Sequence, residues 1–275
     1  MEQIYVSIIL PTYNRAKKLG KAIESVLRQS YPYFELLIID DGSVDQTEQV
    51  VNSYKDERVK YYKMSQNGGQ SKARNYGMKL ANYDYIAFED SDDLWNEKKL
   101  ELQMETMLEA EQANTKVGFC YHKLKYDMGE GRYFILPDEK VSLEQKSGDI
   151  YAQLLWDNLI GMPTLLVKKE CLDEIGYLDE EMNCLEDYDF VLRLARSYHG
   201  VFVDEVLLDA EFSTNGVSGD SYKYLIASCI LVQKYKRDYI STNTLNHRLE
   251  IILRDAKRMG IEEQIIELLE KIMQM

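Results

Sequence analysis

The stretch YDYIAFEDSDDLW, Tyr83 to Trp95, joins an apolar run to an acidic one. Tyr85 to Phe88 is apolar and aromatic, the pattern of a strand buried on both faces. Glu89, Asp90, Asp92 and Asp93 follow, with Ser91 among them. Four carboxylates at the end of a buried strand repel one another and resist desolvation. A divalent cation would relieve the conflict, because hard oxygen ligands at the mouth of a strand suit Mg²⁺ or Mn²⁺ completed by substrate phosphates. The plainer reading is a solvated acidic turn followed by a helix cap. Position favours the first, since open α/β sheets bind their ligands beyond the ends of such strands.

Upstream, the chain alternates in the same manner. Ile4 to Leu10 is β-rich and stops at Pro11, in the turn Pro11–Arg15. A helix follows with Leu19, Ile23, Val26 and Leu27 on one face. A second strand, Phe34 to Ile39, also ends in acid, at Asp40 and Asp41. Ser43 and Gln46 have capping-box spacing before the next helix. Val59 to Tyr62 is a third strand, and Ser71 to Leu80 a helix carrying Lys72, Arg74 and Asn75. Strands alternating with helices imply a doubly wound, mostly parallel sheet with right-handed crossovers. The two acidic strand ends and the Pro11–Arg15 turn then converge on one crevice.

Downstream the alternation loosens. Val117–Tyr126, Arg132–Leu136, Thr164–Val167 and Val201–Leu208 read as strands, and Ile150–Asn158 and Asp187–Tyr198 as helices. From Tyr222 the pattern is helical to the end, with breaks near Ser241–Asn246 and at Gly260. Ser213–Asp220, STNGVSGD, reads as a mobile loop. At 275 residues with 45% apolar content, the chain can bury a substantial core. A net charge of −14 excludes binding nucleic acid or anionic membrane by bulk attraction. The four cysteines show no paired spacing and read as reduced thiols in a cytoplasmic setting. With only three His, a zinc site is not indicated. MEQIYVSIILP reads as a strand and not a signal peptide, and no run is long enough to span a membrane. Contact with a membrane would be peripheral, and the C-terminal helices offer an interface for an oligomer.

The motifs SIILPTYNR (Ser7–Arg15), LLIIDDGSVDQT (Leu36–Thr47), NGGQSKARNYGM (Asn67–Met78), YIAFEDSDDLW (Tyr85–Trp95), GMPTLLVKK (Gly161–Lys169) and GYLDEEMNCLEDYDFVLRLA (Gly176–Ala195) occur in this order. Together they resemble the family 2 glycosyltransferases of GT-A fold. The resemblance implies an α/β GT-A domain over residues 1–220, with a nucleotide-sugar half of about 1–112 and an acceptor half of about 113–220. Residues 221–275 form a helical C-terminal extension that carries no family motif. The implied reaction is inverting, metal-dependent transfer of a sugar from a nucleoside diphosphate donor to an acceptor hydroxyl. A UDP-sugar is the expected donor, although thymine shows the same N3–H edge, and a bacterial surface glycan or its lipid-linked precursor the expected acceptor.

On that resemblance, Thr12 and Tyr13 line the base pocket, with Tyr13 stacked on the base. Asp41 accepts the base N3–H with Asp40 beside it, a role that suits an acceptor-only carboxylate. Arg74 approaches the base or diphosphate and Asp90 holds the ribose. Asp92 binds the metal, Mn²⁺ or Mg²⁺, with Asp93 in support. Pro11, Arg15, Gly69, Lys72, Asn75 and Ser91 complete the donor set, and Glu186 and Trp95 join Asp93 as supporting or acceptor-facing residues. Asp187 is the general base; a helix cap is its plainer reading, and first-turn charge that of Glu186 and Asp189. Many relatives place an Arg or His after the last strand, but DAEFSTNGVSGD (Asp209–Asp220) has neither, leaving Asn215 or Ser218 as candidates. Two other classes compete. A nucleotidyltransferase should show a Gly-rich phosphate loop after the first strand, where this chain has PTYNRAKK. A degenerate, non-catalytic sugar-nucleotide-binding module should have lost acids that Asp41, Asp92 and Asp187 retain.

Overall fold

The computed structural model describes residues 3–211 and 221–274. The first half lays down β1 (Val6–Thr12), α1 (Ala16–Leu27), β2 (Phe34–Asp40), α2 (Thr47–Asn52), β3 (Val59–Lys63), α3 (Gln70–Leu80), β4 (Tyr85–Phe88), β5 (Leu94–Trp95) and α4 (Lys99–Ala113). The second adds β6 (Val117–Asp127), β7 (Tyr133–Leu136), α5 (Tyr151–Trp156), β8 (Leu166–Lys168), α6 (Cys171–Ile175), α7 (Glu186–Ser197) and β9 (His199–Glu211). Helices α8 (Ser221–Lys234), α9 (Lys236–Ser241), α10 (Leu245–Met259) and α11 (Glu262–Gln274) end the described chain.

The strands form one sheet in the order β3-β2-β1-β4-β8-β6-β9-β5, with β7 paired to β6. The β3-β2-β1-β4 half is parallel, as is the long β6–β9 pair, and β8 joins the halves antiparallel to β4 and β6. Every residue of β1 and β2 is buried, so both faces of these strands are covered. Side chains alternate between the faces. Ile8, Leu10, Leu36 and Ile38 pack with Leu19, Ile23 and Val26 of α1 and Leu100, Met104 and Met107 of α4. Ile9, Leu37, Ile39 and Phe88 pack on the other side with α3 and α7. Gly77 lets α3 sit close: a Cβ there would stand 2.6 Å from Ile9 Cγ2. Leu225, Cys229, Leu231, Ile252, Ile265 and Ile272 of the C-terminal helices belong to this second cluster, so those helices share the core of the sheet.

The register aligns the strand ends. Thr12 of β1 lies beside Asp40 of β2, and Glu89 N donates to Ile9 O just past β4. The Pro11–Arg15 turn, Asp41 and the acidic loop after Phe88 therefore meet at one edge. Two local expectations need correction, and one short strand was not anticipated. Ser43 and Gln46 form no capping box: Ser43 Oγ accepts from Asn14 N, and Asp45 Oδ1 accepts from Thr47 N instead. Thr164 belongs to a 3₁₀ turn, Met162–Thr164, that precedes β8. The two-residue β5 is too short to leave a pattern and is recognised only by its pairing with Leu208 and Asp209 of β9. The expected loop Ser213–Asp220 lies outside the described residues. Among the described residues no helix is long and apolar enough to cross a membrane.

Candidate functional site

A cavity of about 530 Å³ opens at that sheet edge. Its floor and one wall come from Pro11, Thr12, Tyr13, Arg15 and Asp41, from Gly69 and Arg74, and from Asp90 to Asp93. Its other wall comes from the second half of the chain: Tyr126 and Leu136 on β6 and β7, Gly161 to Pro163 before β8, and Cys184 to Asp187 at the start of α7. Two turns at the site hold non-glycine residues in left-handed backbone, Asn14 at φ 52° and Leu185 at φ 60°. Leu185 is the residue before Glu186 and sets the entry into α7 with no side-chain cap. A bulky residue in that region is strained, a state that persists where the surroundings enforce it.

Arg74 holds the two acidic segments together. Its side chain is 3% exposed, its Nη2 donates to Asp90 Oδ1 at 2.6 Å, and its Nη1 lies 3.6 Å from Glu186 Oε1. Gln70 Nε2 also donates to Glu186 Oε1, at 2.5 Å. A buried guanidinium with two carboxylates is neutralised on both sides, which the interior requires. Its Nε stays without a protein acceptor.

The chain itself relieves much of the conflict among the four acids after β4. Glu89 is fully buried, with neither oxygen hydrogen-bonded, and burial followed by Asp93 pushes it well above the usual carboxylate range. Lys99, also fully buried, is pushed down to about 7 by burial, and donates to Gln103 Oε1 at 2.7 Å. Asp93 is pushed up to about 9 by burial and by Asp90 and Asp92, so it carries a proton at neutral pH. Asp90 is paired to Arg74, and Asp92 Oδ2 lies 3.4 Å from the half-exposed Arg15. Asp92 is thus the loop's most available carboxylate.

At α7, Asp187 is pushed up to about 7, by burial first and then by Glu186, with Arg74 opposing. It stands inside the helix and not at its cap, which is Leu185, and its Oδ1 accepts from its neighbour's backbone, Tyr188 N, at 2.7 Å. Asp189 is more than a first-turn charge. It is fully buried and takes Arg193 Nε at 2.9 Å, Lys234 Nζ at 2.7 Å and Tyr235 Oη at 2.8 Å, tying α7 to α8.

Of the residues singled out in the sequence, four stand away from the cavity lining. Asp40 is fully buried, where its oxygens accept from Ser43 N and the Tyr61 hydroxyl. Asn75 is turned to the 178–180 loop, with Nδ2 donating to Leu178 O and Glu180 Oε1. Lys72 and Asn75 instead line a separate hollow with Lys63, Tyr76 and Lys79. Trp95 is buried, with the Lys99 ammonium 3.9 Å from its ring centroid. Asp41 does line the cavity, but Gly68 N and Gly69 N already donate to its two oxygens, at 2.7 and 2.8 Å. Thr12 Oγ1 is buried at the lining with no protein partner, free for a ligand. Sequence reasoning missed Tyr126, Leu136, Asn158 and Tyr224; Tyr224, on α8, carried no local signal at all. Asn215 and Ser218 lie outside the described residues.

Residues 7–156 match the model of glycosyl transferase family 2. The chain belongs to that family. It is 34% identical over 203 residues to an uncharacterized glycosyltransferase of Rickettsia typhi, covering 74% of this chain and 62% of that protein. It is 29% identical over 221 residues to a Bacillus subtilis protein, TuaG, named as a putative teichuronic acid biosynthesis glycosyltransferase, covering 79% and 83%. Its fold is similar to S. aureus TarS 1–349 in complex with UDP-GlcNAc, with a TM-score of 0.74 and 20% identity over 98% of this chain and 79% of that one. It is also similar to a Pyrobaculum calidifontis mannosyltransferase in complex with GDP-Man and Mn²⁺, with a TM-score of 0.66 and 16% identity over 95% and 74%. The expected family and GT-A fold are both found. Among the described residues no group of three or more His, Cys, Asp or Glu is arranged to close around a metal ion.

Proposed function

We propose that the protein transfers a sugar from a UDP-sugar to an acceptor hydroxyl with inversion, using Asp187 as general base and Asp92 to hold a divalent cation. One observation carries the reading: across a single cavity, Asp187 faces the Asp90–Asp93 loop, and it is the acid of its segment whose proton affinity sits near neutral pH. A base must be free to accept a proton and basic enough to do so at the working pH. Glu186 is committed to Arg74 and Gln70, and Asp189 to three donors, so Asp187 alone has that freedom.

The donor half supports nucleotide binding. Tyr13, partly exposed at the cavity wall, offers a ring face to a base, and Thr12 Oγ1 and Asp41 offer polar edges. Asp41 is already oriented by two backbone donors, and its carboxylate keeps lone pairs for a base N–H. Gly69 and Gln70 bring the start of α3 to the same wall.

The donor set also fits a cation held by one carboxylate. Mg²⁺ or Mn²⁺ bound through one or two carboxylates and substrate phosphates needs no cage of protein ligands. Asp92 would hold it, and when bound it would stabilise the charge of the departing diphosphate. Arg15, released from Asp92, would add its charge to the same phosphates. The UDP-GlcNAc complex of TarS and the name of TuaG support a UDP-sugar and a surface polysaccharide as donor and product.

The test is a thermal-shift panel of UDP, dTDP, GDP and CDP, each with and without Mn²⁺, on the wild type and on Asp92→Asn. The expected result is stabilisation by UDP of roughly 2–4 kcal/mol well above its Kd, dependent on metal and lost in Asp92→Asn. No shift with any nucleotide in the presence of metal would overturn the reading.

A further inference from the structure

A second buried arginine stands one residue removed from the cavity lining. Arg248 lies on α10 with 2% of its surface exposed. Its guanidinium lies over the ring of Tyr188, 5.3 Å from the centroid, and Tyr188 is the residue next to Asp187. Its Nε and Nη2 are buried with no acceptor, and so is the hydroxyl of Tyr239. Asp157 lies in its field but beyond ion-pair distance, and Arg248 forms no salt bridge among the described residues. Arg74, equally buried, has two carboxylates. Arg248 has a tyrosine ring.

Among the described residues, three tyrosines, Tyr188, Tyr224 and Tyr239, and no paired carboxylate thus surround a charge that stays ionised. A buried cation without a counterion is costly, and a planar guanidinium fork matches a carboxylate or a phosphate. A neutral hydroxyl would satisfy a donor but leave the charge uncompensated. Neither Arg248 nor Tyr239 lines the cavity, but both are buried next to residues of its second wall. Tyr224 lines the cavity and also lies in the field of Arg248, and Asn158, next to Asp157, lines the same wall. Arg248 follows His247, whose ring stacks on Trp156 with centroids 3.8 Å apart.

We propose that Arg248 and Tyr239 form an anion subsite, reached past Tyr224, that receives the acid group of the acceptor. The acceptor is then an acidic glycan or a phosphorylated one, not a neutral sugar. This deepens the transferase reading and rests on it for the word acceptor; the anion site itself does not need a nucleotide.

The experiment uses the full chain. Glucuronate, inorganic phosphate and glucose are each titrated at fixed ionic strength, without nucleotide and then with UDP and Mn²⁺. Melting temperature is one readout. Acrylamide quenching of tryptophan is the other, because of the two tryptophans Trp95 is buried and Trp156 is exposed beside the subsite. A saturable rise in melting temperature and protection of Trp156 by glucuronate alone would assign an acidic saccharide, and by phosphate alone a phosphorylated acceptor. Glucose should do neither. Arg248→Met should weaken the anion effect by at least about tenfold, and Arg248→Lys, which keeps the charge without the fork, should retain part of it. If neither anion acts on the wild type, or either acts equally on Arg248→Met, the subsite is refuted. The wild-type titration decides this even where a variant fails to fold. A missing UDP response with the anion response intact would count against the transferase reading and leave the subsite standing.

Discussion

The loop after β4 and the first turn of α7 are both acid-rich, and the protein treats them differently. In the loop, Glu89 is sunk into the core, Asp93 is held protonated and Asp90 is bound to Arg74, which leaves Asp92. At α7, Asp189 is saturated by three donors and Glu186 is fixed by Arg74 and Gln70, which leaves Asp187. Each segment commits most of its acids to structural roles and leaves one at the cavity that is not so committed. The residual groups differ in kind. Asp92 sits beside a half-exposed cation, Arg15, as suits a ligand for metal, whereas Asp187 sits beside a carboxylate and has its proton affinity raised, as suits a base.

The sharpest way to break this arrangement is to remove its shared partner. Arg74→Met leaves Asp90 and Glu186 without their counterion, and should cost about 3–5 kcal/mol of stability, as loss of one member of a buried pair does; chemical denaturation measures it. Asp189→Asn should cost less, about 1–3 kcal/mol, because Lys234 and Arg193 are partly exposed and can turn to water. The folded fraction of that variant should keep its transfer rate, which separates Asp189 from Asp187.

A third prediction concerns pH. The folded state holds Asp93's proton more tightly than the unfolded chain does. Its contribution to stability is therefore full at low pH and lost as pH rises through about 9. In the absence of metal, Asp93→Asn should flatten the fall in melting temperature between pH 5 and 9, by a few degrees. A variant curve parallel to wild type would contradict the assignment. The smallest effect is expected at Glu186. Glu186→Gln removes one cause of the raised Asp187 value, so the rising limb of kcat/KM, expected near 7 in the wild type, should move to lower pH by less than about one unit.

The sheet was legible because its strands alternate side chains between two apolar layers and end in Pro or acid, so Ile8 and Ile9 announce opposite faces and Asp41 and Asp90 a common edge. The acid loop was legible as a site but not in its internal balance. That Glu89 would be buried near Lys99 depends on α4 folding back beneath the loop, which no spacing reveals. Ser43 and Gln46 misled because a capping box is a local pattern, and a partner from another turn, Asn14, took the hydroxyl. Lys72 and Asn75 share a helix with Arg74, but at 3.6 residues per turn they cannot share its direction. Tyr224 and Arg248 were invisible because their meaning comes from helices that meet the cavity only after the chain has packed.

The central claim is that Asp92 and Asp187 hold different offices at one cavity. It is tested by measuring UDP release from UDP-sugar and Mn²⁺-dependent UDP affinity on Asp92→Asn and Asp187→Asn side by side. The account predicts that Asp187→Asn keeps wild-type, metal-dependent UDP affinity while its turnover falls about 10²–10⁴-fold, and that Asp92→Asn loses the metal-dependent part of the affinity itself. Turnover that survives in Asp187→Asn, or metal-dependent affinity that survives in Asp92→Asn, would contradict it.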